Sequence, residues 1–474
     1  MMNQPDAIVI GSGPNGLAAA IEIARAGRKV LVLEAEPTIG GGVRSAELTL
    51  PGFVHDICSA VHPLAIASPF FRTLPLDAHG LRWITPPLML AHPLDDGTAT
   101  VMAKSMDETA AQMGADGAAY RELFGAIVDA WPKLETAILG PALRIPSHPF
   151  ALARFGLSAI QPAAQLARRR FSTAGARALF AGIAAHGMLP LDQRPTAAFG
   201  LVLGAAAHVA GWVFPRGGAQ SLTDALASYF RSLGGEIVTG QRVASVDDLP
   251  PARAVLCDLS PRPLLQIAGH KFPDWYRQKL EEYRYGCGVF KVDWALETPI
   301  PWRASACAQA GTVHVGGTLE EIERGEQEAW NGRAPERPFV LVTQLSRFDT
   351  TRAPADRQTV WGYCHVPHGS TEDMLARIEA QIERFAPGFR ERVLARSVMR
   401  PADVERHNAN LVGGDIGAGV SDIPQLFLRP TRLMYSTPVR GLYICSASTP
   451  PGVGVHGMCG YYAAQRALRE ELRA

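Results

Sequence analysis

Gly11-Ser12-Gly13-Pro14-Asn15-Gly16 fits G-x-G-x-x-G, a spacing that lets a backbone cradle a pyrophosphate. Gly11 permits the tight turn, Gly13 the approach of a phosphate, and Gly16 the close packing of helix on strand. Pro14 and Asn15 open a helix whose free N–H groups and partial positive charge suit an anion. Glu34, followed by Ala35, stands about twenty residues on, where a carboxylate accepts hydrogen bonds from ribose hydroxyls. Its charge would repel a 2′-phosphate, which disfavours NADP.

Those residues need a strand, a helix and a second strand to hold them. Residues 7–10 are a short apolar run, right for a buried parallel strand. Residues 17–26 read as an Ala-rich helix closed by Gly27, and 29–33 as the next strand, with Glu34 at its end. This strand–turn–helix–strand context makes the glycine motif specific. A second cluster, Gly40-Gly41-Gly42-Val43-Arg44-Ser45, follows, which an NAD-binding domain does not need. It resembles the Gly-Gly-x-x-x-Ser/Thr stretch of amine oxidase and phytoene desaturase flavoproteins. That resemblance favours FAD, with Gly41, Gly42, Val43 and Arg44 beside it.

The chain has 474 residues, too long for one simple core, so two intertwined or consecutive domains are expected. A net charge of +1 gives no case for nucleic acid. No signal peptide is expected, because the first apolar stretch is already the cofactor strand. The seven cysteines contain no C-x-x-C, which argues against a redox dithiol and against a metal site. Reduced thiols and a cytoplasmic location follow as expectations. The sequence does not fix an oligomeric state.

Along the chain, 53–56 are expected to begin a strand near the cofactor, and His55, Asp56 and His62 invite a catalytic reading beside a plainer one as loop residues. Residues 83–102 alternate as strands, with Asp95-Asp96-Gly97 as a hairpin turn. Residues 107–139 are helical by pattern. From Glu135 to Asp192 no acid intervenes, while Arg144, Arg154, Arg168, Arg169, Arg170 and Arg177 do. This basic, amphipathic stretch is a candidate membrane-surface element; the alternative is a helical lid with solvated arginines. Residues 199–214 are too few to span a bilayer and read as core, or as a wall of a greasy cavity. A helix over 222–233 leads to strands at 234–238, 242–246 and 254–258. Further strands are expected at 285–296, 339–345 and 359–365, and a helix over 370–385 capped by Ser370 or Thr371. Residues 441–445 form a strand, 446–452 a turn and 459–472 a helix.

The whole chain resembles the phytoene desaturase-like FAD oxidoreductases, a family that includes carotenoid desaturases, carotene ketolases and retinol saturase. Within it the likeness is to the branch called pyridine nucleotide-disulfide oxidoreductase domain-containing protein two. It is carried by 11–45, by Gly211-Trp212 with Pro215-Arg216-Gly217-Gly218, by 291–296, by His407-Asn408 with Gly413-Gly414-Asp415, and by Arg429-Pro430 with 441–460. Where the family often reads L-Y-x-x-G-A-S-T-H-P-G-G-G, this chain has Ser446 in a glycine slot and Pro450 in a histidine slot.

The resemblance implies an α/β fold: a Rossmann-like FAD-binding domain of glutathione reductase or amine oxidase type, interleaved with an α+β substrate-binding domain. The first would take 1–75, 216–262 and 405–474. The second would take 76–215 and 263–404, with a helical lid at about 105–215. It places the backbone of Val243 at the adenine and Ser446, Ala447, Gly454, Val455, His456 and Met458 at the flavin, near a helix N-terminus. The implied reaction removes or adds two hydrogens at a carbon–carbon bond of an apolar, isoprenoid or carotenoid-like substrate, with hydride exchanged at flavin N5. His456, His55 and Asp56 are the proton-handling candidates. Two alternatives share the fold: a flavin amine oxidase, and a non-enzymatic lipid-binding or regulatory protein.

Overall fold

The computed structural model describes residues 4–141 and 145–473. Two sheets organise them. The first has five parallel strands in the order Leu442–Ile444, Ala254–Cys257, Ala7–Ile10, Val30–Leu33, Glu236–Val238. These strands are apolar runs because helices cover both faces. On one face the Pro14–Arg25 helix packs against the C-terminal Met458–Glu470 helix. Gly460 makes that approach close: a Cβ there would stand 1.8 Å from the Asn15 carbonyl oxygen.

The second sheet has seven strands in the order Val393–Met399, Gly288–Leu296, Gln358–Val366, Val340–Thr343, Ala310–Val315, Leu88–Pro93, Ala99–Met102. All neighbours are antiparallel except Ala310–Val315 with Leu88–Pro93. One face of this sheet is hydrocarbon: Phe290, Val292, Trp294, Val340, Val342 and Val360 pack with Ile378, Ile382 and Phe385 of the Leu375–Phe385 helix. The opposite face turns toward the first sheet. Helices Met106–Gln112, Gly117–Ile138, Pro149–Ala159, Ala163–Arg170, Ala174–Ala185 and Thr196–Ala210 form a third layer. The hairpin of 83–102 is present, with Leu90 opposite Met102.

Two expectations need correction. Residues 242–246 do not join a ladder; the chain there runs as a loop, with Gln241 N–H donating to the Glu34 carbonyl. The helix expected from 370 begins at Leu375. Before it, Ser370 Oγ accepts from Glu372 N–H and Asp373 Oδ1 from Leu375 N–H, so these side chains hold turns instead of extending the helix.

Candidate functional site

A cavity of about 790 Å³ runs from the carboxyl ends of the parallel strands to the open face of the second sheet. Its first part is the glycine turn. Gly11 takes φ +100°, open to glycine and strained for other residues. A Cβ on Gly16 would lie 2.1 Å from the Gly11 carbonyl oxygen, so Gly16 serves the close helix–strand packing. A Cβ on Gly13 would lie 2.7 Å from Asp258 Oδ2. Gly11, Gly13, Pro14 and Asn15 line the cavity, and Asn15 Oδ1 is buried without a partner. The cradle thus fits a diphosphate by shape and by the helix N-terminus at Gly13, which no side chain caps.

Glu34 and Ala35 line the same wall. Glu34 Oε2 accepts from Ser12 N–H at 2.9 Å and from Ser12 Oγ at 2.6 Å, while Oε1 accepts from Glu36 N–H at 2.9 Å. These bonds fix the carboxylate's orientation. Val243 also lines the cavity, from its loop beside Glu36. Gly41, Gly42, Val43 and Arg44 form the facing rim. Arg44 Nε donates to the Gly41 carbonyl at 3.0 Å and Nη2 to the His407 carbonyl at 2.7 Å. It therefore staples the rim to the 404–411 segment.

From the C-terminal segment Ser446, Ala447, Gly454 and Val455 reach the cavity. His456 and Met458 do not line it. His456 Nδ1 accepts from Met458 N–H at 3.0 Å, capping the first turn of the last helix, and Ser68 Oγ donates to the His456 carbonyl. Burial lowers the His456 pKa to about 4, against the pull of the Gly452 and Val453 carbonyls. The ring is thus neutral near pH 7, and part of the helix N-terminus is spent on it.

His55 and Asp56 also stand behind the wall. Asp56 Oδ2 accepts from Arg352 Nη1 at 2.6 Å, and Oδ1 accepts from Ser45 Oγ and Ala219 N–H, each at 2.7 Å. His55 Nε2 meets Thr49 Oγ1 at 2.8 Å, and Nδ1 lies 3.5 Å from Asp293 Oδ1. Burial, then the Lys291 charge, lowers its pKa to about 3. Neither residue faces the space a substrate could occupy, so the catalytic reading gives way to a packed ion network. His62 does line the cavity, and both its ring nitrogens lack partners. Cys459 is buried, its thiol pushed up to about 11 by burial.

Two residues of the wall carry charge that sequence reading did not single out. Asp258 closes the Ala254–Cys257 strand and accepts from Gly16 N–H at 3.0 Å. Burial pushes its carboxyl up to about 7, against that hydrogen bond and with help from the Glu34 charge. The strand-end acid was visible, but its fold-back onto the glycine turn spans 242 positions. Lys291, on the second sheet, is buried and ion-paired with Asp293. Among the described residues no His, Cys, Asp or Glu cluster could hold a metal.

Residues 9–73 match the NAD(P)-binding Rossmann-like domain family. Pyridine nucleotide-disulfide oxidoreductase domain-containing protein 2 of Mus musculus is 26% identical over 98% of this chain and 93% of its own length. The neurosporene-forming phytoene desaturase of Rhodobacter capsulatus is 24% identical over 52% of this chain and 51% of its own. Among solved structures, an oxidoreductase from Methanosarcina mazei superposes with a TM-score of 0.67 at 16% identity, covering 97% of this chain and 99% of the other. Cyclohexylamine oxidase from Brevibacterium oxydans gives 0.61 at 15%, covering 99% and 100%. The chain thus has a Rossmann-like fold of amine oxidase type and resembles, over its whole length, the pyridine nucleotide-disulfide oxidoreductase domain-containing protein 2 branch of the phytoene desaturase-like group.

Proposed function

We propose that the protein is an FAD-dependent oxidoreductase that exchanges hydride with a carbon–carbon bond of an apolar substrate. One observation carries the reading: a single cavity begins at a diphosphate cradle and ends among Met188, Leu203, Trp212, Val289 and Leu341. Gly11, Gly13 and Asn15 would hold the diphosphate, Glu34 and Val243 the adenosine, and the 41–44 rim with Ser446, Ala447, Gly454 and Val455 the ring system. When bound, FAD supplies a two-electron hydride acceptor or donor. The protein's residues orient the substrate and exclude water from the contact. The weak phytoene desaturase likeness supports this direction; the amine oxidase neighbours, and the Trp361–Tyr363 aromatic pair in the cavity wall, support an amine substrate as the second reading.

The test is the absorption spectrum of the purified protein, taken before and after anaerobic incubation with carotenoids, retinoids and amines. Flavin bands bleached by a carotenoid or retinoid are expected. Bleaching by amines alone would move the assignment to the second reading. A colourless protein that cannot be reconstituted with FAD would leave the lipid-binding alternative.

We propose also that the protein touches a lipid surface. No helix among the described residues is long and apolar enough to cross a membrane. The support lies in the Pro149–Ala159 helix, where Phe150 is 90% and Leu157 74% exposed, with Ile145 just before it at 90%. The arginines further on are differently engaged. Arg168 pairs with Glu320 and Glu323, and Arg170 with Glu122. Arg169 donates to Gln161 and Arg177 to the Phe171 carbonyl. Arg144 lies outside the described residues. The contact therefore rests on the apolar side chains and Arg154.

A further inference from the structure

The far end of the cavity is not a plain hydrocarbon slot. Side chains alternate across the second sheet, so residues in register on adjacent strands share a face. Leu341 pairs with Tyr363 and Tyr363 with Lys291. One step along, Thr343 pairs with Trp361 and Trp361 with Asp293, while Thr312 pairs with Thr343. Of these two rows, Lys291, Thr312, Leu341, Thr343, Trp361 and Tyr363 line the cavity. Their alternates, such as Val292, Val342 and Val360, form the hydrocarbon face under the Leu375–Phe385 helix. The same strands thus carry one dry face and one polar face, and the polar one meets the substrate space.

Within that face Lys291, Trp361 and Tyr363 carry donors short of acceptors, while Asp293 and its unpartnered Oδ1 stand behind the cavity wall. Tyr363 lines the cavity, and burial raises its pKa, so its hydroxyl stays protonated and able to donate. Trp361 Nε1 is buried and unpartnered. Lys291 spends one donor on Asp293 and has two left. The three side chains form one patch: Lys291 Nζ stands 5.8 Å from the Trp361 ring, whose centre is 5.2 Å from that of Tyr363. A hydrocarbon pressed against the patch would strip its water and return no acceptor. Asp293 neutralises Lys291, so the patch offers donors with little net charge and suits a neutral oxygen. An ammonium ion would find no carboxylate on the cavity wall of this patch to pair with.

We infer that the substrate is an apolar molecule bearing a neutral acceptor oxygen, an alcohol or carbonyl, which Lys291, Trp361 and Tyr363 hold at the far end of the cavity. The inference rests on the proposal above that this cavity takes an apolar substrate. A site built to hydrogen-bond an oxygen rejects the analogue lacking it far more strongly than a greasy pocket rejects a shape.

The experiment compares farnesol, farnesene and farnesylamine binding to the full chain reconstituted with FAD, read by quenching of tryptophan fluorescence, which needs no turnover. Farnesol is expected to bind at least tenfold more tightly than farnesene. Tyr363→Phe should weaken farnesol about tenfold and leave farnesene unchanged; Lys291→Met should act in the same direction. Equal binding of farnesol and farnesene, an unaltered preference in both variants, or farnesylamine binding as tightly as farnesol would overturn the inference alone. Failure of all three compounds to bind a folded, flavin-loaded protein would overturn the apolar-substrate proposal with it.

Discussion

Asp56 and Arg352 meet across 296 positions of sequence, each side chain only 2% exposed. Arg352 Nε also donates to Asp349, whose Oδ2 accepts from Gly217 N–H. Removing one partner of a buried pair leaves an uncompensated charge and typically costs 3–5 kcal/mol. Because Arg352 keeps Asp349, Asp56→Asn is expected to lower stability by about 3 kcal/mol, measured by denaturant unfolding. A variant of unchanged stability that lost only turnover would restore the catalytic reading of Asp56. Asp258 makes a different prediction. Its folded pKa, about 7, lies above the ordinary 3.8, so the folded state holds a proton that the unfolded state releases. Stability from this site is therefore full below about pH 4 and is lost as pH rises toward 7. A diphosphate beside Asp258 also prefers the protonated form. FAD affinity should fall as pH rises through about 7, and Asp258→Asn should flatten that dependence. Buried histidines such as His456 act oppositely, costing stability as pH falls from 6.5 toward 4, so the variant comparison isolates Asp258.

At the level of elements, local signals were legible and distant pairings were not. The first strand, the glycine turn and its helix could be read because composition, motif and order agree within forty residues or so. The hairpin at 95–97 declared itself in the same way. The loop at 242–246 carries two valines, yet the chain leading into it bonds to the Glu34 and Glu36 carbonyls past the end of Val30–Leu33 and does not run along the free edge of Glu236–Val238. Ser370 and the acids after it suggest a helix start, yet the Ser370 and Asp373 side chains cap turns before Leu375. The basic stretch could be read as charge, but the acids that answer Arg168, at 320 and 323, lie far along the chain. What survives of the membrane expectation belongs to the Pro149–Ala159 helix. Exposed Phe and Leu on a helix with an arginine and no acid suit an anionic interface. Flotation with anionic liposomes should be lost in Phe150→Ser/Leu157→Ser and kept when Arg168 is reversed to Glu. Flotation unchanged by the double variant would remove this helix from the contact.

The whole molecule is held together at its cavity. Gly11 and Asp258 come from the parallel sheet, Lys291 and Tyr363 from the antiparallel one, and Leu203 from the helical layer. The cradle's own residues come from stretches at 11–16, 34–44, 241–244 and 446–455, which meet only in the folded chain. A ligand spanning the cavity therefore binds the native state alone and stabilises all three layers by mass action. At a free FAD concentration one hundred times its dissociation constant, the gain is about 2.7 kcal/mol. Unfolding entropy near 2.1 cal/mol/K per residue makes that about 3 °C in the melting midpoint for a chain of this length. Because the Asp56–Arg352 network joins the layers, one cooperative transition is expected, moved upward as a unit by FAD. Gly13→Val should abolish the shift: its Cβ alone would stand 2.7 Å from Asp258 Oδ2, and its methyl groups would fill the diphosphate's place. Scanning calorimetry of both proteins with and without FAD decides the matter. Two separate transitions, with only one moved by FAD, would mean that the layers fold independently; a full shift in Gly13→Val would place the cofactor elsewhere.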